Sequence, residues 1–450
     1  MNPARRALIS CLIPISLGAC ALKLPTAAPE AELPADWKNA AGFPVASPKD
    51  DLARWWRKFD DPVLTRVIAD GLANNPDLSS ASARIREARA RRNVAAATLF
   101  PFVSGSASSD SSVVKTDGNR RVSETRYSAG LDASWEADLF GKNRSKVAAA
   151  AAEIATAYTR LRAYETGLTI LQNIVKTREQ TTQLATWRQM AGETDSLESS
   201  QAISSLEQAR ASVPSLEQSI AQTRNLLALL CGRQPGSLDG VLASGNRAIP
   251  DPARSLAIGI PADTIRQRPD VRLAGYQLLA AVANTRAAEA ERFPSLGLSG
   301  SLGVNSLTAG KLFDPQTASA DIIAGLTGPI FDAGRIRSNI EAQGAVQDRA
   351  VQTYRSSILT ALSEVEDSLI ACQRSTERLA TLEKAAAAAR EADVLARQRY
   401  QAGEIDFLDV LDSQRTLLNL EDSLLNTRTD RTTAYIRLYQ ALGGGWSAAS

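Results

Sequence analysis

The sequence predicts a mostly α-helical chain with a transmembrane β-barrel part, built from long coiled-coil helices and two β-hairpins per chain. Three observations lead to this fold class. A proline-free run from Arg335 to Ala402 would form one helix ~100 Å long at ~1.5 Å per residue, too long for the core of a small domain. Segments of about ten residues alternate apolar and polar side chains, as tilted transmembrane strands do. The whole pattern occurs twice along the chain.

The alternating segments predict one hairpin in each copy. In the first copy residues 127–137 alternate, and the polar residues 110–124 are expected to form the hairpin loop. In the second copy residues 296–304 and 322–330 alternate on either side of a loop at 305–319. An edge hairpin on a soluble domain is the alternative. Four strands cannot close a barrel, for which about eight is the minimum. Open strand edges are not tolerated in lipid, so several chains must share one barrel.

Prolines and glycines mark the internal duplication. Pro76 and Pro101 recur with the same spacing as Pro269 and Pro294. The paired glycines are Gly141 with Gly334, Gly192 with Gly403, and Gly232 with Gly443. Between its first two glycines the first copy is shorter by roughly 18 residues, or about 27 Å of helix. The shortening is predicted to lie near residues 142–153, next to the strands.

Helical segments in both copies carry coiled-coil heptads. In the first copy the apolar positions follow a regular alternation of three and four residues. They are Leu206, Ala209, Val213, Leu216, Ile220, Thr223, Leu227 and Leu230. The second copy keeps this register from Leu417 to Ala441 with two polar interruptions. These helices are therefore expected to pack lengthwise against other helices.

The N-terminus is typical of a secretory signal peptide that ends at a lipid attachment site. Arg5 and Arg6 precede an apolar run that is too short to span a membrane as a helix. The sequence LGAC, which ends at Cys20, resembles a bacterial lipobox, in which the cysteine is lipidated and becomes the first mature residue. An ordinary signal peptide followed by a chance cysteine is the alternative.

Composition argues against several classes of function. The chain has 51 basic and 49 acidic residues and no histidine. Near-neutrality disfavours nucleic-acid binding, and the lack of histidine removes His-dependent catalysis and His-ligated metal sites. The four cysteines stand far apart, and the sequence contains no phosphate-binding loop, dinucleotide fingerprint or nucleophile elbow. We therefore expect no enzyme activity, cofactor, metal site or nucleic-acid partner.

Several motifs, in their order and spacing, resemble the TolC-like outer-membrane factor family, specifically its lipoprotein branch of resistance–nodulation–division (NodT/OprM-type) efflux systems. The motifs are the lipobox at Cys20, WWRKFDDPVLTRVI (55–68), NNPDL (74–78), WEADLFGKNRS (135–145), IPADTIRQRPDV (260–271), RYQAGEIDFLDVLDSQR (399–415) and LYQALGGGW (438–446). Together they span nearly the whole mature chain.

The resemblance implies a homotrimer that closes one twelve-stranded barrel above a hollow α-barrel with a periplasmic tip. It implies an exit duct in the outer membrane that conducts small molecules passively from an inner-membrane pump and a periplasmic adaptor protein. The predicted boundaries are a signal peptide (1–19), a lipid-anchored tether and belt segment (20–61), the first structural repeat (62–232), an inter-repeat belt segment (233–262), the second structural repeat (263–443) and a C-terminal tail (444–450).

The resemblance also assigns the two glycine turns to the periplasmic tip, where relatives dock the adaptor. By position, Gly192 and Gly403 mark the turns, and Leu197 and Leu408 lie beside them as docking residues. Ile405 stands where some relatives have an arginine in the bonding of their gate, which leaves the polar latch of this chain unassigned.

Four residues match the periplasmic gate of the family. Tyr400, Asp409 and Asp412 correspond to the tyrosine and the two acids of the entrance constriction, and Glu198 is the equivalent acid of the first repeat. Asp409 and Asp412 are one helix turn apart and share a face. Threefold symmetry would make each a ring of three carboxylates, which attracts cations. An ordinary solvated acidic face is the alternative.

Two other functions are compatible with parts of this pattern. The same duct would serve type I protein secretion; only the lipobox and the C-terminal motif ALGGGW, by resemblance, favour small-molecule efflux. A lipid-anchored coiled-coil scaffold without a pore would account for the helices, but the alternating strands argue against it.

The lipobox assignment predicts that Cys20→Ser abolishes the incorporation of radiolabelled palmitate, because lipidation at a lipobox requires the thiol of its cysteine. Labelling of the whole cell envelope followed by immunoprecipitation measures this. Persistent labelling of the variant would contradict the assignment. Export need not be lost, since the strands alone would hold the chain in the membrane.

Overall fold

The computed structural model describes most of the chain after the N-terminal segment. The described ranges are 33–40, 52–97, 105–116, 120–130, 144–244, 247–252, 261–312 and 314–445. The predicted signal peptide, the predicted lipid attachment residue Cys20 and residues 446–450 lie outside them.

As predicted, these ranges are mostly helical and contain two hairpins. A 3₁₀ helix at Leu52–Phe59 comes first. The helices are α1 (Pro62–Asn74), α2 (Pro76–Ala97), α3 (Arg144–Met190), α4 (Ser196–Leu230), α5 (Asp239–Ala243), α6 (Pro261–Gln267), α7 (Pro269–Ala290), α8 (Arg335–Gln401) and α9 (Phe407–Ala441). The strands are β1 (Ser106–Thr116), β2 (Arg120–Gly130), β3 (Ser295–Ser306) and β4 (Ala318–Thr327). None of the helices in the described ranges combines the length and the apolar character needed to cross a membrane.

The long helices form two antiparallel pairs, α3 with α4 and α8 with α9, and α3 lies against α9. The heptad prediction for α4 is confirmed at most positions. The buried ones are Leu206, Ala209, Ile220, Thr223, Leu227 and Leu230, whereas Val213 and Leu216 are half-buried. Since α8 has 67 residues, it extends ~100 Å at ~1.5 Å per residue. The pairs therefore carry their connecting turns far from the strands.

The larger hydrophobic core lies where the N-terminal segment meets both repeats. Trp55 stacks on Tyr439 of α9 with ring centroids 5.3 Å apart and planes at 13°. Leu64 of α1 and Ile154 of α3 are buried in the same cluster. Packing of large aromatic rings of this kind contributes area burial and a specific geometry. The N-terminal 3₁₀ helix is thus part of the folded body.

A buried arginine fixes the segment between the repeats to α3. Arg162 is fully buried, and its guanidinium donates to the hydroxyl of Tyr158 (3.0 Å), to the carboxylate of Glu165 (2.6 Å) and to the carbonyl of Leu242 in α5 (3.0 Å). A buried charge needs such partners to offset its desolvation. The contact with Leu242 holds α5 against the first repeat.

The four strands form one antiparallel sheet in the order β1-β2-β3-β4. β3 and β4 pair from Ser295 opposite Thr327 to Val304 opposite Ala318. This register puts the predicted apolar positions of both strands on one face, because directly opposite residues share a face. They are Leu296, Leu298, Leu302, Val304, Ile322, Ala324 and Leu326. The prediction for the second hairpin is confirmed, except that Ile330 lies beyond the end of β4.

The strands of the first hairpin extend further into the predicted loop than the sequence indicated. Residues 110–116 and 120–124, assigned to a loop, pair as strands in a register that places Asp110 opposite Arg126. The physical reason is that backbone pairing with the neighbouring strand stabilises a strand whose own alternation is weak. Of the predicted strand at 127–137, residues 127–130 belong to β2, and the remainder lies outside the described residues.

The two long leading helices differ in length within the described residues, and residues 142 and 143 of the segment predicted to be shortened lie outside them. Within the described residues α3 has 47 residues and α8 has 67. The difference affects the neighbouring short helices. α7 packs along α8 and buries Leu278 among others, whereas α2, the equivalent of α7, has few contacts with α3 and is largely exposed. Within the described residues, no helix of the first repeat covers α2 to the extent that α8 covers α7.

In both repeats a side chain forms a hydrogen bond with the C-terminal end of the second long helix. The side-chain amide of Asn75 donates to the carbonyl of Leu230 at 2.8 Å, and Arg268 donates to the carbonyl of Ala441 at 2.9 Å. Residues near a helix end leave unpaired carbonyls, and these side chains satisfy one in each repeat. Arg268 also bonds Glu364 of α8 at 2.6 Å.

A left-handed glycine follows each of these helix ends, but the two differ in the space around them. Gly232 has φ +62, and a Cβ there would collide with the carbonyl oxygen of Asn74. Gly443 has φ +77, and its Cβ would meet no atom closer than Arg268 Cγ at 3.6 Å.

We predict that Gly232→Ala lowers the thermal unfolding midpoint more than Gly443→Ala, since the first adds a backbone collision to the left-handed strain. The strain alone costs about 1–3 kcal/mol, and the collision adds to it. Loss of helical circular dichroism on heating the purified protein measures both midpoints. Equal shifts for the two variants would show that the packing around Gly232 is not rigid.

Candidate functional site at the helix tips

Two tight turns connect the long helices at the end remote from the strands. Gly192 has φ +77 and Gly403 has φ +73, and each follows the last residues of its helix. The amide of Glu193 donates to the carbonyl of Arg188 at 2.9 Å, and the amide of Glu404 donates to that of Arg399 at 2.9 Å. This is the Schellman arrangement, in which a left-handed residue lets the chain cap its own helix. The structure thus places both predicted glycines at tip turns.

The next helix begins differently after each turn. Asp195 caps α4, because its carboxylate accepts from the amides of Leu197 at 2.9 Å and Glu198 at 3.2 Å. Asp406 occupies the same position before α9 but makes no side-chain capping bond. The first tip is therefore capped at both helix ends, while the second relies on its glycine and on packing.

A small hydrophobic cluster joins the two tips within one chain. Its buried members are Ala185, Ala202, Tyr400, Phe407 and Val410. The rings of Tyr400 and Phe407 lie 5.6 Å apart at 57°. Ile405, which stands where some relatives have an arginine, packs against this cluster as an apolar residue. In this chain the residue at position 405 therefore contributes to hydrophobic packing.

Tyr400 and Glu198, two of the predicted gate residues, are in direct contact. The hydroxyl of Tyr400 donates to the carboxylate of Glu198, which connects α8 to α4. Burial raises the pKa of the Tyr400 hydroxyl, and the adjacent carboxylate raises it further. The phenol therefore stays protonated and acts as the donor in this bond.

Arg188 belongs to the same site although sequence reasoning did not single it out. Its guanidinium carbon lies 4.7 Å from the centre of the Tyr400 ring, and Nη1 donates to the carbonyl of Tyr400 at 3.3 Å. Its Nε pairs with Glu193 at 3.3 Å. The motifs RQMAGE and RYQAGE hold an arginine at this position in both repeats, which was the available signal.

The structure does not bring the other two predicted gate residues into this contact. Asp409 and Asp412 are exposed on α9, and in the described part of the chain neither side chain has a hydrogen-bond or ion-pair partner. Asp409 lies in the first turn of α9, where the helix dipole favours a carboxylate. The two acids are free to face solvent or a neighbouring molecule.

The predicted docking leucines are exposed beside the turns. Leu197 is 60% exposed and Leu408 is 63% exposed. Met190, at the end of α3, is 80% exposed. Large apolar side chains in such positions are available for contact with another protein. Within the described residues no cluster of His, Cys, Asp and Glu side chains is placed to hold a metal ion.

Comparison with known proteins identifies the family. The model of the outer membrane efflux protein family matches residues 67–233 and 260–444. The pyoverdine export outer membrane protein OpmQ of Pseudomonas putida is 31% identical, with 98% of each chain covered. The toluene efflux pump outer membrane protein TtgI of the same species is 30% identical, with 97% of each chain covered.

A solved structure shows the same fold. The outer-membrane channel OprN is similar with a TM-score of 0.85 and 30% identity, over 93% of this chain and 99% of that one. The two chains therefore share a fold of long helices with a β-sheet at one end. The protein is an outer-membrane channel of the kind found in tripartite efflux pumps, and the chain belongs to the outer membrane efflux protein family.

Proposed function

We propose that three copies of this chain form a passive exit duct that receives small molecules from an inner-membrane pump through a periplasmic adaptor. The observation that carries the proposal is the four-stranded sheet, whose outer strands β1 and β4 each pair on one side only in the described residues. Strand edges without partners are too costly for lipid, so β4 of one copy would pair with β1 of the next.

The proposed assembly gives each segment of the chain a place. The sheet would contribute one third of a twelve-stranded barrel, and the helix pairs would form a hollow periplasmic wall. The predicted boundaries at residues 20–61, 62–232, 233–262 and 263–443 would then separate lipid anchor, repeats and belt, with Cys20 in outer-membrane lipid. The exposed Leu197 and Leu408 would contact the adaptor at the tip turns, which Gly192 and Gly403 make possible.

A duct of this kind does not need to recognise its cargo. The two relatives described above are named for pyoverdine export and for toluene efflux, compounds with very different chemistry. This difference supports a passive role for the channel and leaves the choice of substrate to the pump. We therefore propose small-molecule efflux without enzymatic activity for this chain as well.

Type I protein secretion and a pore-free scaffold make different experimental predictions. A scaffold would give no single-channel conductance in a planar bilayer. A secretion duct would conduct, but its expression in a strain that lacks its efflux channel would not restore tolerance to small toxic compounds. Conductance together with restored tolerance is the result that our proposal expects.

We further propose that Tyr400, Glu198, Asp409 and Asp412 form the periplasmic gate. The contact of Tyr400 with Glu198 would hold the two helix pairs of one copy together. Asp409 and Asp412 have no partner in the described residues, so in a trimer their carboxylates would face a shared opening and bind cations.

The gate assignment predicts that the double variant Asp409→Ala with Asp412→Ala loses its cation site. Block by divalent cations should weaken about tenfold, which corresponds to about 1.4 kcal/mol of lost attraction. Basal conductance should rise, because cations no longer bridge the closed opening. Single-channel recording of the purified protein in a planar bilayer measures both quantities.

Asp367→Ala is the matched control, since Asp367 is an exposed acid in the middle of α8, the helix that pairs with α9. It should alter neither block nor conductance. If the double variant behaves like this control, Asp409 and Asp412 are an ordinary solvated face, and the gate must lie elsewhere.

A further inference from the structure

The two tip turns carry equivalent arginines that have the same local partner. Arg188 Nε pairs with Glu193 at 3.3 Å across the first turn, and Arg399 Nε pairs with Glu404 at 3.0 Å across the second. Each arginine lies in the last turn of its helix, where a positive charge favours the helix C-terminus. This local role is shared by both repeats and accounts for the pairing across each turn.

Only Arg188 makes additional contacts with the other repeat. Its side chain is 20% exposed, whereas that of Arg399 is 60% exposed. The guanidinium of Arg188 lies over the ring of Tyr400 at 4.7 Å and donates to the carbonyl of Tyr400 at 3.3 Å. No comparable contact is made by Arg399 within the described residues.

Tyr400 is consequently restrained at three points by the first repeat. Arg188 contacts the face of its ring and its backbone carbonyl, and Glu198 accepts from its hydroxyl. Attraction between a guanidinium and an aromatic face strengthens when the pair is desolvated, as it is at this buried ring. A planar guanidinium can stack and donate at the same time, which an ammonium group cannot.

We propose that Arg188 is a positioning residue that holds Tyr400 against the first tip turn and so latches the two helix pairs of one protomer together. The inference rests on the proposed gate. It adds the residue that supplies a positive charge to the latch, in a chain where Ile405 is apolar and packs in the cluster. Separation of the tips requires that Arg188 release Tyr400, whereas Arg399 moves with its own turn.

The first test measures the distance between the tips without reference to transport. Spin labels are placed at Ala191→Cys and Ala402→Cys, two exposed residues of the turns. Cys231 and Cys372 are buried and do not compete for labelling. Labelled chains are diluted with unlabelled ones, so that electron–electron double resonance reports the distance within one protomer. Arg188→Ala should lengthen or broaden this distance, and Arg399→Ala should leave it unchanged.

The second test uses conductance and a double-mutant cycle. Arg188→Ala should raise the open probability on the order of tenfold, the size expected from losing a partly desolvated cation–π contact and a hydrogen bond. Arg399→Ala should not raise it. In a Tyr400→Leu background, Arg188→Ala should add little, because the two residues act through one contact.

Arg188→Lys keeps the positive charge. It serves as a second variant in case Arg188→Ala fails to fold. Lysine still pairs with Glu193 but cannot both stack on the ring and donate to the carbonyl of Tyr400. Most of the effect of Arg188→Ala should therefore persist in Arg188→Lys. Full rescue by lysine would show that charge alone matters and would overturn the positioning role.

The remaining outcomes separate this inference from the gate on which it rests. If Arg188→Ala and Arg399→Ala have the same effect on tip distance and conductance, Arg188 has only its local role, and the inference is wrong. If Arg188→Ala lengthens the tip distance without a change in conductance, the contact between Arg188 and Tyr400 stands. In that case the tip is not the gate, and that part of the proposed function fails.

Discussion

The structure depends on one constraint, the unpaired edges of a four-stranded sheet. β1 and β4 are the outer strands within one chain, and lipid offers their amides and carbonyls no hydrogen-bond partner. In the assembly that we propose, closure with neighbouring chains would resolve this problem and would fix the symmetry of everything attached to the sheet. The long helices that follow β2 and β4 would then stand side by side around the same axis, which is the arrangement that a duct requires.

Duplication provides two similar units, and small departures from it give each unit its own role. Asn75 and Arg268 close their helix ends in the same way, and the tip arginines pair with equivalent glutamates. The departures occur at both ends of the long helices. Within the described residues α3 is shorter than α8 and covers little of α2, while at the tip Arg188 of the first repeat contacts Tyr400 and Arg399 makes no equivalent contact.

Sequence periodicity was sufficient to predict the long helices and the second hairpin, because packing along a helix or across a sheet requires regular apolar positions. It made the loop of the first hairpin too long, since residues 110–116 and 120–124 become strand by pairing with each other, which the pattern of a single segment does not reveal. The family resemblance assigned Tyr400 and Glu198 to one site, whereas their hydrogen bond is seen only in the structure. The role of Arg188 was not predicted, because the position of its guanidinium over the Tyr400 ring depends on the packing of helices that are far apart in the sequence.

The most direct measurement of the shared barrel is the mass of the purified protein in a mild detergent. Light scattering corrected for bound detergent, or native mass spectrometry, gives the number of chains in each particle. Closure of the β1 and β4 edges between neighbours requires three chains and no stable smaller species. A folded monomer that keeps its strand content and inserts into lipid would contradict the account, since its edges would then lie in the membrane without partners.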